Sequence, residues 1–236
     1  MNTEILFEDN DIIVCIKKPG IPVQPDKSRN KDMVNMLRNY VVESEYGYTK
    51  EQGIPYIGLV HRLDRPVGGV MVFAKTPLAL KKLNDQMVKS DINKRYFAIT
   101  SDKTVINERS IPLDKDWIKL EDYLVKDGKN NVSKVVSNGY KNAKKAILEY
   151  KSIAQCKGMI LNDIKLYTGR HHQIRVQMAH HNMPLVGDTK YNTDCEKGDV
   201  MLYSYCLEFK HPISGKSMFF KNTPNHGEFN LFKNNI

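Results

Sequence analysis

The 236-residue chain carries 36 lysines and arginines against 27 aspartates and glutamates, a net charge of +9, with 41% hydrophobic and 27% charged residues. That is an ordinary composition for a globular protein of one large or two small domains, and the positive balance points to an anionic partner, nucleic acid being the commonest. The opening Met-Asn-Thr-Glu-Ile-Leu-Phe-Glu-Asp has neither the basic region nor the long apolar stretch of a secretory signal, and no apolar run approaches the about 18 residues of a membrane span.

The four cysteines, Cys15, Cys156, Cys195 and Cys206, form no C-x-x-C pair. Neither a zinc ribbon nor a redox motif is indicated, and isolated thiols suit a reducing cytoplasm.

In chain order, Ile5-Leu6-Phe7 and Ile12 to Ile16 read as short strands joined across Glu8-Asp9-Asn10-Asp11. Lys17-Lys18-Pro19-Gly20 ends the second, and an irregular loop with Pro22, Pro25 and the polar run Asp26 to Lys31 follows. Met33, Met36, Leu37, Tyr40 and Val41 recur at helical spacing and predict a helix from about Asp32 to Glu45.

The stretch Leu59 to Thr76 organises the rest. His61-Arg62-Leu63-Asp64 is followed by Pro66, the pair Gly68-Gly69 and an apolar run, Val70 to Ala74, that predicts a buried strand with Asp64 in a loop at its edge. A carboxylate ahead of glycines that permit close backbone approach, flanked by Arg62 and Arg65, suits a reactive group facing a polyanion. A turn whose aspartate caps backbone amides fits the same residues. The kinase catalytic loop is excluded, because its aspartate is third in the tetrad and an asparagine follows, whereas Asp64 is fourth and no such asparagine follows.

Thr76-Pro77 starts a helix with Leu80, Leu83 and Met87 on one face, stopping near Ser90-Asp91. Lys94 to Thr100 reads as a strand, with Tyr96 either a half-buried core aromatic or a platform for a base. Ser101 to Ala143, polar, lysine-rich and holding the only tryptophan, Trp117, reads as short strands and mobile loops around a rim facing the anionic partner.

Ala146 to Ala154 and Met159 to Leu166 predict a strand pair turned at Lys157-Gly158, leading to Tyr167-Thr168-Gly169-Arg170-His171-His172-Gln173-Ile174-Arg175. Thr168 is the expected N-cap, and Arg175, about 100° from Ile174 on the helix, is expected to leave the core and meet a carboxylate. His172, His180 and His181 lack a completing Cys or acid nearby, so no metal site is expected. Asn182 to Asp188 closes the helix, and Met201 to Phe209 is a final strand ended by Lys210-His211-Pro212.

Several separated stretches together resemble the RluA-type pseudouridine synthases, which isomerise uridine to pseudouridine in ribosomal or transfer RNA. His61-Arg62-Leu63-Asp64 with Gly69 and Ala74-Lys75 looks like the nucleophile motif, and Lys94-Arg95-Tyr96 like the Lys-x-Tyr strand. Gly169 to Val176, continuing through Pro184-Leu185-Val186-Gly187-Asp188, is similar to the Gly-Arg-x-His-Gln-Ile-Arg segment. Leu202 with Leu207 to Pro212 fits the last strand, and Glu8-Asp9-Asn10-Asp11-Ile12 to Lys18-Pro19-Gly20 the opening. The likeness runs from about Ile5 to Pro212. Departures are Val67-Gly68 for the usual Thr-Ser, which removes two hydroxyls from the loop, His171 for Thr, and Tyr203-Ser204 for His-Ala.

The resemblance implies an α/β fold of the α+β type, a single catalytic domain over residues 1–236 with a largely antiparallel central sheet flanked by helices and loops. No separate S4-type RNA-binding module is expected. It implies an isomerase that breaks the N-glycosidic bond, rotates the base and rejoins it through carbon-5, a redox-neutral change needing no cofactor and no metal.

Asp64 is then the catalytic carboxylate, ionised to act as a nucleophile on the base or ribose or as a base toward a ribose proton. Arg175 is the cation that keeps it charged, and Tyr96 is the ring that stacks on the uracil. Arg62 fills the space of a flipped nucleotide, and His61, Arg170, Gln173 and Leu202 are further candidate substrate-binding residues. The expected partner is an rRNA or tRNA stem-loop, because an unpaired base costs least to extrude. A cytoplasmic monomer with no obligatory protein partner and no membrane association is expected.

Two competitors stand beside this reading. A non-catalytic RNA-binding or ribosome-assembly factor on the same fold would accommodate Val67 and Gly68. A metal-dependent nuclease would need a cluster of acids for magnesium.

Overall fold

The computed structural model describes residues 3–25, 30–44, 53–101, 113, 116–193 and 195–236. In chain order its elements are β1 (Glu4–Glu8), β2 (Ile12–Lys17), α1 (Met33–Glu43), β3 (Gly58–Leu59), β4 (Gly68–Ala74), α2 (Pro77–Lys89) and β5 (Asn93–Ser101). There follow β6 (Ile118–Asp127), β7 (Val132–Val136), β8 (Lys144–Cys156), β9 (Met159–Leu166), α3 (Gln173–His180), β10 (Leu202–Lys210), β11 (Ser217–Lys221) and a 3-10 helix, Gly227–Phe232. The chain divides into two compact units, one of Met1–Ile92 with Cys206–Asn222, the other of Asn93–Tyr205 with Thr223–Ile236.

In the first unit the hydrogen-bonded order is β1-β2-β4-β10, with β11 on β10 and β3 on β4. The β1–β2 turn closes because Asp9 Oδ1 accepts the N–H groups of Asp11 at 2.8 Å and Ile12 at 2.9 Å, an Asx turn that a short carboxylate favours. β2 and β4 pair antiparallel from Ile12 opposite Ala74 to Lys17 opposite Gly69. Every residue of both strands is buried, which is why both read as unbroken apolar runs rather than alternating ones.

α1 begins at Asp32, whose carboxylate accepts the Asn35 amide, and buries Met33, Val34, Leu37 and Val41. α2 begins at Thr76, which caps the Ala79 amide with Pro77 in the first turn, and ends at Ser90 in the left-handed conformation. Both starts agree with the sequence reading; Glu45 and part of the loop after Pro25 lie outside the described residues. Ala79 and Leu83 pack into a core with Ile12, Val14, Val70, Val72 and Phe209.

In the second unit the order is β10-β5-β9-β8-β6-β7. β8 and β9 turn at Lys157-Gly158, both at positive φ (49° and 70°), and all the paired registers are antiparallel. The expectation of short strands after Ser101 is corrected: β6 is ten residues long and pairs with both β7 and β8. Its Leu120 and Leu124 face inward while Lys119, Glu121 and Lys126 are exposed, so the lysine density that suggests a loop belongs to one face of a strand. Residues 102–112 and 114–115 of that stretch lie outside the described residues.

Two C-terminal elements carry no clear pattern in the sequence: β11, and the 3-10 turn that buries Phe229 and Phe232 three residues apart, on one face of a three-residue turn. Among the described residues no helix is long and apolar enough to cross a membrane.

Candidate active site

Asp64 lies half-buried in the loop between β3 and β4, with Arg62 and Arg65 exposed on either side and Leu63 buried. The loop is tied down along its length. The Val67 amide donates to the Asp64 carbonyl at 2.9 Å, closing a turn around Pro66. His61 is buried, and its Nε2 accepts the Val72 amide at 3.3 Å.

The Gly20 amide donates to the Arg65 carbonyl at 2.8 Å, and Arg65 Nε donates back to the Gly20 carbonyl at 3.0 Å. Gly20 holds φ at 84°, a conformation cheap only for glycine. The Lys-Pro-Gly turn after β2 is thereby laced to the Asp64 loop. Val67 and Gly68 bring no hydroxyl, and these ties are made by backbone amides and carbonyls together with the Arg65 and His61 side chains.

Lys17, at the end of β2, is the residue that sequence reasoning missed. Its side chain is fully buried. Nζ donates to three carbonyls, those of Lys18 at 3.2 Å, Arg65 at 3.0 Å and Val67 at 2.6 Å. Burial lowers its pKa to about 7, with the Asp64 charge opposing that fall and the Arg65 charge adding to it. The sequence signal was a lysine directly after the apolar run Ile12 to Ile16.

In the second unit, Tyr96 is buried on β5 opposite Ile164 of β9. Its neighbour Arg95 pairs with Asp163, which also accepts the Tyr205 hydroxyl at 3.0 Å. Phe97 stacks on Tyr205 with ring centroids 3.8 Å apart. Leu202 is buried at the start of β10.

α3 departs from expectation at both predicted features. Thr168 does not cap it: the helix starts at Gln173, preceded by His172 in the left-handed conformation at φ 54°. Thr168 instead accepts the Ile147 amide at 2.8 Å and donates to Gln173 Oε1 at 2.8 Å. Gln173 is buried, its Oε1 also accepting the Arg170 amide at 3.0 Å and its Nε2 donating to the Ile147 carbonyl at 3.1 Å. Arg170 is exposed with Nε on the Lys145 carbonyl at 2.8 Å.

Arg175 does not leave the core: the helix is buried from Gln173 through Met178, and Arg175 is 3% exposed. A helix sheltered on all sides has no outward face for it. It does meet a carboxylate, that of Asp188, with Nε to Oδ2 at 2.7 Å and Nη2 to Oδ1 at 2.6 Å. The Tyr191 ring lies 5.4 Å from its guanidinium carbon, and the Tyr191 hydroxyl accepts the Ser133 amide at 2.7 Å and meets His172 Nδ1 at 2.9 Å. Burial first, then the Arg175 charge, pushes the His172 pKa down to about 3. The imidazole is therefore neutral at physiological pH, with Nδ1 sharing a hydrogen bond with the tyrosine hydroxyl.

Among the described residues one trio could approach a metal, Asp9, Asp11 and His211. Its geometry already has an occupation: Asp9 Oδ1 takes two backbone amides, and Oδ2 lies 2.8 Å from His211 Nε2. Asp64, on which a nuclease reading would depend, is not in it.

The family model for RNA pseudouridylate synthase matches residues 11–180, a span containing Lys17, Asp64, Tyr96 and Arg175. An uncharacterized RNA pseudouridine synthase of Helicobacter pylori strain J99 is 30% identical over 229 residues, covering 94% of this chain and 66% of the relative. Ribosomal large subunit pseudouridine synthase D of Borreliella burgdorferi is 32% identical over 221 residues, covering 92% of this chain and 63% of the relative.

This chain therefore spans just under two thirds of the length of those relatives. Among solved structures, human RNA pseudouridylate synthase domain containing 4 matches with a TM-score of 0.71 at 18% identity, over 94% of this chain and 89% of that one. Human RNA pseudouridylate synthase domain containing 1 matches with a TM-score of 0.72 at 17% identity, over 95% and 84%. At such identity these two speak for the fold, the mixed α+β arrangement on a mostly antiparallel sheet. The chain belongs to the RNA pseudouridylate synthase family.

Proposed function

We propose that this chain isomerises uridine to pseudouridine in ribosomal or transfer RNA, with Asp64 as the catalytic carboxylate. The observation that carries the proposal is the Asp64 loop: a half-buried acid on a backbone fixed from both sides, between two exposed arginines. A fixed carboxylate suits reaction geometry, because a nucleophile or base must be held near its target through a bond-breaking step. Two exposed cations beside it suit an approaching phosphate backbone, and the net charge of +9 supports association with a polyanion.

Tyr96 is proposed as the ring that stacks on the uracil and Arg175 as the cation that supports the carboxylate in the reaction, its guanidinium plane set by Asp188. Arg62 and Arg170, both exposed, are proposed contacts to the RNA. Gln173 and His61, buried and bonded to backbone, are proposed to shape the loops that present them, and Leu202 to pack beneath the base. The reaction is redox-neutral and draws on side chains alone. Four cysteines outside any disulfide fit a reducing compartment, and the cytoplasm is proposed on that ground.

The test is release of tritium from [5-3H]uridine-labelled RNA of a strain lacking the gene. Wild-type protein is expected to release it, and Asp64→Asn to release none while still binding the RNA. Mapping pseudouridines in that strain identifies the RNA and the position.

A further inference from the structure

The Asp64 loop is fastened to β2 by a side chain that proteins rarely leave without a counter-charge in direct contact. Burying an ammonium carries a heavy desolvation cost, and the fully buried Lys17 offsets part of it through hydrogen bonds to three carbonyls. Two of those carbonyls, Arg65 and Val67, bracket Pro66, and the third belongs to the Lys18-Pro19-Gly20 turn that is itself bonded to Arg65. An ammonium has three N–H donors, one for each carbonyl. A neutral amine has two, and its lone pair would be turned against the third carbonyl.

We propose that Lys17 is a positioning residue for Asp64: its ammonium gathers the carbonyls on both sides of Pro66 against the end of β2, within Coulombic reach of Asp64, and loss of its proton loosens the loop and lowers turnover. This rests on the reading of Asp64 as the catalytic carboxylate. A methionine would fill the volume equally well, and Val67 and Gly68 offer no hydroxyl to hold the turn. The charged groups acting on Lys17 are Asp64, which favours the ammonium, and Arg65, which disfavours it.

The pKa of about 7 sets the range. The folded value lies below the unfolded one, so between them the unfolded chain holds a proton that the folded chain has lost. The Lys17 contribution to stability therefore rises as pH increases from about 7 toward the ordinary lysine value. Turnover is proposed to move the other way. A residue with a merely structural role would not lose activity while gaining stability.

The experiment compares wild type with Lys17→Met by tritium release from the [5-3H]uridine-labelled RNA across pH 6 to 9, and by amide exchange at Val67, whose N–H closes the turn onto Asp64. Expected in the variant are kcat reduced at least ten-fold at pH 6.5 with KM little changed, no alkaline limb with a midpoint near 7, and Val67 exchange at least ten-fold faster. Equal turnover and an unchanged alkaline limb, or unchanged Val67 exchange, would overturn the proposal. If the variant does not fold, the wild type suffices: Val67 exchange, corrected for intrinsic base catalysis, must quicken on the same midpoint as the Lys17 side-chain NMR titration, and a lysine that keeps its proton past pH 10 overturns the idea. Turnover retained by Asp64→Asn strikes the reading of Asp64 instead, while exchange at Val67 still decides the tether.

Discussion

Arg175 and Asp188 form a two-bond ion pair, Nε to Oδ2 at 2.7 Å and Nη2 to Oδ1 at 2.6 Å, with both residues almost wholly removed from solvent. Asp188 also accepts the Lys190 amide at 3.3 Å, so its orientation is fixed by backbone as well as by the arginine. The guanidinium plane is set before any substrate arrives.

Removing the aspartate takes two charge-assisted hydrogen bonds away from a buried cation. Asp188→Ala is expected to lower stability by about 3–5 kcal/mol, the range for breaking a buried pair, as read from urea unfolding midpoints with an unchanged slope. Replacing both partners by apolar residues of similar volume should recover most of that loss while leaving the protein without activity.

Arg175→Lys tests geometry rather than charge. An ammonium cannot reproduce two parallel N–H donors on one carboxylate, and turnover is expected to fall at least 100-fold. RNA binding measured by filter retention should change by less than three-fold if Arg175 serves the reaction rather than affinity.

Legibility in the sequence followed how locally each feature is determined. β2, β4 and the caps of α1 and α2 are specified by residues a few positions apart, such as Thr76-Pro77 and Asp32, and the predicted starts match. The ends of α3 are not local: Thr168 and Gln173 bond to Ile147, more than twenty residues upstream, so the start moves to Gln173. Arg175 reads as outward-facing because periodicity assumes a helix with one buried face, and here the surroundings close over every side. Asp188 stands in a quoted motif without a role, since only the folded chain brings it to Arg175. Lys17 could be suspected only from a lysine ending an apolar strand, and two of its three carbonyl partners lie 48 and 50 residues away.

Gly187 is a second place where backbone decides. Its φ is 74°, and a Cβ there would lie 1.9 Å from the Asp199 carbonyl oxygen. Gly187→Ala is expected to cost about 3 kcal/mol or more, from overpacking and a left-handed alanine together. Thermal unfolding of the variant checks this, and an unchanged midpoint would contradict the close approach.

His172 gives a pH signature of the same sign as Lys17, in a more acidic range. Its pKa is about 3 in the fold against 6.5 unfolded, so the unfolded chain takes up a proton that the folded chain refuses between those values. The associated stability is complete above about 6.5 and is lost as pH falls toward 3. His172→Gln, which keeps a polar group near Tyr191, is expected to flatten the difference in unfolding free energy between pH 7 and pH 4.5 relative to wild type.

The central claim concerns one carboxylate, and tritium release from [5-3H]uridine-labelled RNA with Asp64→Asn beside wild type reads it most directly. The expected result is release by wild type, release at background by the variant, and equal binding of the same RNA by both. Turnover by Asp64→Asn at the wild-type rate would contradict it.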